Sequence, residues 1–363
     1  MKFFRVQLRN FRNIEEADVA FSDGLNVIYG RNAQGKTNML EALSYIPACR
    51  SFRAVHDREM IKIGCESAEI KADYESKGRK RSAGIGFFQG QKRRLTLDGA
   101  KCRGTAEFSG SLNCVLFSPD DLYMIKGEPA QRRRFLDAAI SQQKPAYGKA
   151  LSEYGKTLSE VSLLIKNWED QTKSTRDSIQ SWFFQLASKG GYISEVREKY
   201  VKLLDLRIKE FYTDMSGGEN ASCAYVTSCG EGGAAERAEA VYRKLSENLE
   251  KQIAAGTVLY GVQRDDVDFF VDGRDLKQYG SQGQQRSAVL SAKLAEGEII
   301  RQTAGEYPVF LFDDVLSELD RDRKNYLLKR LTGKQMMITC CDEREFSDCD
   351  GSFIRAENGR FYL

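Results

Sequence analysis

A single histidine, His56, stands in the 363 residues. Its isolation argues against Ser-His or Cys-His catalysis, both of which need an imidazole beside the nucleophile. The 9 cysteines are an odd number and include no Cys-x-x-Cys pair. With one distant histidine, that argues against a zinc site. Scattered thiols, among them Cys340-Cys341 in the apolar run Met336 to Cys341, suit a reducing compartment instead. No apolar run approaches the ~20 residues of a membrane span, and mean hydropathy is −0.49 with 29% charged residues. Met1 to Leu8 alternates like a strand and lacks the apolar block of a secretory signal. A cytoplasmic location is expected. Net charge is only +3, so total charge announces no nucleic-acid partner. Internal repeats and low-complexity tracts are also lacking.

What the chain does hold is a phosphate loop. Gly30-Arg31-Asn32-Ala33-Gln34-Gly35-Lys36-Thr37-Asn38 contains G-x-x-x-x-G-K-T between a short apolar strand pattern, Leu25 to Tyr29, and a helical one from Met39. That context makes the motif credible. Backbone N–H groups of such a loop form an anion nest, and the helix N-terminus adds positive potential. Lys36 is expected to reach the β- and γ-phosphates of ATP and to act in catalysis, and Thr37 to place its hydroxyl on Mg²⁺.

The first ~125 residues read as mixed strands around this helix. Between Lys77 and Arg103, nine basic residues face one acid, Asp98. Such an excess fits a surface that holds phosphates and releases counterions. It fits equally a solvated hairpin rim whose charges block edge pairing. From Ala130 the apolar spacing becomes helical. One face runs from Leu151 to Trp168 and a second from Ile179 to Phe211, with Gly190-Gly191 as an expected kink or break. Strand patterns return at Ala221–Thr227, Gly256–Val262 and Asp268–Val271. A helix is predicted over Gln284–Arg301, then a strand at Val309–Phe312, a helix over Arg321–Leu331 and a last strand at Gln335–Thr339. This alternation argues for an α/β fold with a parallel sheet. Residues 1–125 and 216–363 are expected to be two parts of one head, and 126–215 an inserted α-helical arm domain.

Val309-Phe310-Leu311-Phe312-Asp313-Asp314 is a buried-strand pattern that delivers two carboxylates at its tip. That is the Walker B arrangement: Asp313 for Mg²⁺ and Asp314 as general base toward water. Ser317-Glu318-Leu319-Asp320 follows. Upstream, Ser281-Gln282-Gly283-Gln284-Gln285 precedes a helix and exposes N–H groups as an anion site, or is an ordinary helix cap at Ser281.

In this order the motifs resemble the ATP-binding-cassette superfamily. There the signature turn, here Ser281, Gly283 and Gln284, contacts ATP held by a second subunit, which implies a homodimer in the ATP state. Pro119 through Gly127-Glu128-Pro129 to Arg132-Arg133-Arg134-Phe135-Leu136-Asp137 resembles the first signature of the RecF family of bacterial recombination and gap-repair ATPases. Leu311 to Leu327 resembles its second, and Leu8 to Asn13 its opening motif. The resemblance implies a P-loop cassette head like that of SMC proteins, with a short helical arm. It also implies binding of single- and double-stranded DNA, and work with RecO and RecR to load RecA at gaps. ATP-driven dimerisation would be reversed by slow hydrolysis. Three departures stand out. Glu128 replaces a small residue or Asp. Val262-Gln263 replaces the usual Pro-His. The Ile338-Thr339-Cys340-Cys341-Asp342 region has no switch histidine, leaving Thr339 in part of that role. The alternative, an ATPase subunit of a transporter, predicts that missing histidine. Arg132, Arg133 and Arg134 point about 100° apart on a helix, so no single partner takes all three.

Overall fold

A computed structural model describes every residue except Val55, Ser109 and Asp348, and every other side chain except that of Ala106. The chain divides into two compact units. One comprises Met1–Tyr123, Asp214–Gly218 and Val289–Leu363; the other comprises Met124–Thr213 and Glu219–Ala288. Residues 219–288 thus fall with the helical segment, whereas the sequence pattern groups them with the C-terminal part of the head.

The first unit holds two six-stranded sheets. One is antiparallel, in the order Ile14–Ala20, Lys2–Phe11, Ser67–Ser76, Arg79–Phe88, Arg94–Leu97, Ala100–Lys101. Its strands alternate over most of their length: Val6, Leu8, Ile70, Ala72, Ile85 and Phe87 face the core, while a register shift between Phe3 and Arg5 interrupts the first. The opposite face carries charge, some of it in cross-strand pairs such as Arg5–Asp18. The basic run Lys77–Arg103 does not form one patch. Arg79 and Lys80 begin a ten-residue strand, and Lys92 to Arg94 follow its far end, roughly 30 Å away at ~3.3 Å per residue. Two members are already ion-paired, Arg81 with Asp98 and Arg93 with Asp57.

The second sheet runs Arg360–Tyr362, Gly351–Glu357, Leu25–Tyr29, Met336–Cys340, Val309–Asp313, Cys114–Phe117. All its neighbours are parallel except the final hairpin. Val309–Asp313 and Met336–Cys340 are buried at every position, as expected of strands covered on both faces. The helix Lys36–Ala48 shares one core with both sheets, which explains why it is apolar nearly all round. Its buried Glu41 is neutralised by a bidentate pair from Arg12, at 2.9 and 2.7 Å. Met336–Cys340 is not the last strand: the hairpin Gly351–Glu357 and Arg360–Tyr362 follows it.

The second unit contains the helices Pro129–Gln143 and Pro145–Lys166, most of the 38-residue helix Ile179–Ser216, and the helices Ala234–Glu247 and Leu249–Ala255. A three-stranded antiparallel sheet, Arg274–Asp275, Asp266–Val271 and Ala221–Val226, completes it. Residues 256–262 are not a strand; they lead into a 3-10 turn, Val262–Arg264. Gly190-Gly191 does not break the long helix. A Cβ at Gly190 would lie 3.4 Å from the Tyr154 ring, and one at Gly191 would lie 2.2 Å from the Ala234 carbonyl oxygen. The pair reads as a breaker but serves as a contact where other helices approach.

Two outcomes follow. Gly191→Ala forces a methyl into backbone and should destabilise by about 1–3 kcal/mol. Gly190→Ala meets only ordinary contact and should be neutral or stabilising by up to about 1 kcal/mol through helix propensity; chemical denaturation of both variants checks the contrast. The second outcome concerns Glu296, whose carboxyl burial pushes up to about 7, partly offset by Lys293. Between its ordinary range and pH 7 the folded state holds the extra proton, so stability falls as pH rises there and levels off above. Glu296→Gln should match the wild type in melting temperature near pH 5 and exceed it at pH 8, by an effect of up to about 3 kcal/mol.

Candidate nucleotide site

Three adjacent parallel strands end at one place. Leu25–Tyr29 runs into the glycine-rich loop, Val309–Asp313 delivers the two aspartates, and Met336–Cys340 lies between them, with Thr339 opposite both Ile28 and Asp313. In open α/β sheets, ligands bind beyond the carboxyl ends of strands. A cavity of about 310 Å³ opens there, lined by Asn13, the loop from Asn32 to Asn38, Arg53, Asp314 and Thr339.

Two loop positions require glycine. Gly30 has φ 150°, and a Cβ there would sit 2.3 Å from the Ala356 carbonyl oxygen; Gly35 has φ 103° and begins the helix. Ala33 also adopts a left-handed conformation, φ 65°. The loop is braced from outside. Asn13 Nδ2 donates to Ala33 O at 3.1 Å, and Asn38 Nδ2 donates to Asn13 Oδ1 at 2.7 Å. Gln34 receives two N–H groups of the C-terminal hairpin, Asn358 N on Oε1 at 2.5 Å and Gly359 N on its carbonyl at 3.1 Å. Asn32 accepts from the exposed Cys341 thiol at 3.3 Å, and Arg31 is exposed.

The Lys36 side chain, 6% exposed, arches over the loop and donates to Gly30 O at 2.5 Å and Arg31 O at 3.0 Å. Thr37 Oγ1 donates to Asp313 Oδ1 at 2.8 Å. Thr339 Oγ1 donates to the same oxygen at 3.1 Å and accepts from Asp314 N at 2.8 Å. Asp314 is thereby fixed in a left-handed conformation, φ 55°, with its side chain toward the cavity. Burial pushes the Asp313 carboxyl up, and the Thr37 and Thr339 hydroxyls offset only part of that. A buried carboxylate with two neutral donors and no bonded cationic side chain fits a divalent cation, for which threonine hydroxyl and aspartate oxygen are suitable hard ligands.

Ser281, Gly283 and Gln284 do not line this cavity and belong to the second unit. Their helix starts at Gln282 rather than Gln284. Ser281 N donates to Gln284 Oε1 at 3.0 Å and Gln284 N to Ser281 Oγ at 3.2 Å, a reciprocal capping box. Gln284 Nε2 donates to Glu219 Oε1 at 2.8 Å. Several parts of the site have no counterpart among the sequence assignments: Asn13, Arg53, and the hairpin at Asn358-Gly359. The last carried a signal, since Asn-Gly between alternating residues marks a two-residue hairpin turn.

Comparison with known proteins is consistent with this geometry. The family model RecF/RecN/SMC N terminal domain matches residues 3–358. DNA replication and repair protein RecF of Ruminiclostridium cellulolyticum is 36% identical over 362 residues, covering 98% of this chain and 96% of that protein. Its namesake from Desulfitobacterium hafniense is 37% identical over 356 residues, 98% and 97% of the two chains. The chain belongs to the RecF family. A solved structure of the recombination mediator protein RecF with ATPrS, in the RecFOR pathway, has a TM-score of 0.92 at 33% identity and covers 99% of this chain and 97% of that one. The Smc head domain of Pyrococcus furiosus, 17% identical with a TM-score of 0.57, shares the fold. The fold is therefore the α/β P-loop cassette head of SMC type.

The RecF-family signatures divide among different tasks. Arg132, 3% exposed, forms a bidentate pair with Asp266 at 2.7 and 2.8 Å and donates to the carbonyls of Met124, Ile125 and Gly127. Arg133 donates to Asp265 O at 2.7 Å, and Arg134 is exposed. Glu128 is exposed at the N-cap of Pro129–Gln143, where an acid suits the helix dipole. Gln263, where the resemblance leads one to expect a histidine, accepts from Tyr154 OH and donates to Tyr260 O. Substituting Asp313→Asn should leave the fold intact and lower Mg²⁺-dependent nucleotide affinity roughly 10–100-fold, with metal-free nucleotide binding changed less than about 2-fold. Calorimetric titration with and without Mg²⁺ checks this.

Proposed function

We propose that the chain is an ATP-dependent DNA-binding protein of replication and recombinational repair. In this reading ATP joins two copies, and slow hydrolysis releases them. The observation that carries it is the convergence of Lys36, Thr37, Asp313 and Asp314 at adjacent strand tips in a RecF-family head. Gly30 to Asn38 would cradle the phosphates with backbone N–H groups, and Lys36 would exchange its two carbonyl partners for β- and γ-phosphate oxygens. Thr37 and Asp313 would hold Mg²⁺. The cation supplies charge neutralisation of the triphosphate when bound. Asp314 would take the proton of the attacking water. Ser281 and Gly283 would meet the γ-phosphate of a neighbouring copy through the start of their helix. Thr339 fixes both aspartates where other cassette ATPases use a histidine, and slow turnover suits a timer. The RecFOR pathway of a relative described as a recombination mediator supports partnership with RecO and RecR; in this reading the chain helps to load RecA at single-strand gaps. DNA affinity would come from Lys and Arg contacts to phosphates, with little sequence readout. No observation favours the transporter reading.

Sedimentation in the absence of nucleotide should give a monomer, and ATP should give a dimer. Asp314→Asn should lower turnover by about 10²-fold or more and prolong the dimer, while Lys36→Ala should abolish its formation. A wild type whose association ignores ATP would remove the switch.

A further inference from the structure

Beyond the C-terminal end of the helix Lys36–Ala48 lies a second cavity, of about 440 Å³, that shares no lining residue with the nucleotide cavity. Its walls include Arg50, Ser51, His56, Asp57 and Arg93. Arg93 comes from the loop before the strand Arg94–Leu97 and is anchored without being saturated. It donates to Tyr45 OH at 2.6 Å and to both Asp57 oxygens at 3.2 Å, all through Nη1. Its guanidinium stacks 5.7 Å from the Tyr45 ring centre. A guanidinium carries five N–H donors in a rigid fork, so the Nη2 and Nε edge remains oriented and chemically available. Asp57, the carboxylate among the described lining residues, is already answered by Arg93 and by the Tyr45 hydroxyl. Burial holds that hydroxyl far above its ordinary range, so it stays a donor.

The Arg50 side is also built. Ser51 Oγ accepts from Arg53 N at 2.9 Å and Ala54 N at 2.8 Å and donates to the buried Glu41, itself clamped by Arg12. That fixes the backbone next to Arg50. Arg50 and Arg93 thus line one concavity, in which the acid among the described lining residues, Asp57, is neutralised and His56 stands on the same wall. Among the described residues, no Phe, Tyr or Trp ring and no carboxamide lines the cavity. A lining in which two arginines are the main charged donors matches a backbone phosphate, which positions a polynucleotide without specifying its sequence.

We propose that this cavity takes a phosphodiester of DNA on Arg50 and Arg93. The proposal rests on the DNA-binding reading above. Fluorescent duplex and single-stranded DNA are titrated over a range of salt with the full chain, its Arg50→Ala and Arg50→Lys variants, and the wild type plus inorganic phosphate at constant ionic strength. Arg50→Ala should stay folded and weaken every DNA sequence alike. It should also reduce the slope of log affinity against log salt by about 1. Arg50→Lys should restore the slope. An unchanged slope and affinity in a folded Arg50→Ala chain overturns the cavity proposal while leaving DNA binding standing. A folded variant that loses only the effect of inorganic phosphate marks a free-anion site and overturns it too. A wild type that binds no DNA overturns both readings.

Discussion

One carboxylate organises the nucleotide end of this protein. Asp313 is 6% exposed and its Oδ1 receives two hydroxyls, from Thr37 on the P-loop helix and from Thr339 on the strand between. Burial disfavours its charged form, and a bound cation would offset that. The same two threonines tie three chain segments at one point, Thr37 from 276 residues away and Thr339 from 26. Thr339 reaches further, because its oxygen also takes the Asp314 N–H. The direction of the Asp314 side chain is thus set by a residue on a different strand. A single hydroxyl can do this because the parallel register puts Thr339 directly beside Asp313.

The second unit obeys a different logic. Its centre is a buried arginine, Arg197, 2% exposed on its side chain, which bonds Asp137, Tyr147, Asp265 and the Val262 carbonyl. Asp265 also accepts from Thr227 at 2.7 Å and from Tyr225. Buried charge is tolerable only when every partner is in place. Here the partners come from helix, turn and strand of one unit, so the network demands that these assemble together. The Arg132–Asp266 pair repeats the device next door. Two consecutive aspartates therefore serve two arginines on opposite sides, and Gln263, where the resemblance leads one to expect a histidine, partners Tyr154.

The P-loop, the aspartate-bearing strand and the helical face of the arm were legible because each is local: apolar period and motif fall within about twenty residues. The parallel sheet was legible from alternation alone. What sequence could not supply is contact between distant segments. Arg12 meets Glu41 across 29 positions and Arg132 meets Asp266 across 134. Nothing local distinguishes these charges from their solvated neighbours. Gly190-Gly191 misled because glycine is both the poorest helix former of the ordinary residues and the one that admits another backbone. The basic run left two readings open because counting along the chain ignores that a strand's two ends lie far apart and that antiparallel neighbours bring their own acids. The closing hairpin has no counterpart in the sequence reading, although its Asn358 and Gly359 both adopt positive φ, at 51° and 74°, the left-handed pair that a type I′ turn needs.

The signature turn carries a constraint of its own. The Gln284 side chain is engaged at both ends: its oxygen caps the Ser281 N–H and its nitrogen holds Glu219, which also accepts from Tyr212 at 3.1 Å. The Ser281 oxygen accepts from Gln284 N, and this leaves its hydroxyl hydrogen to donate outward. An anion meeting this turn would thus find the serine O–H and the helix-start N–H groups before any carboxamide. One Nε2 hydrogen of Gln284 is held by Glu219 and the carboxamide carries a second, so any contact with a phosphate would be made in the orientation that Glu219 sets. The glutamine's first task is therefore to shape the turn.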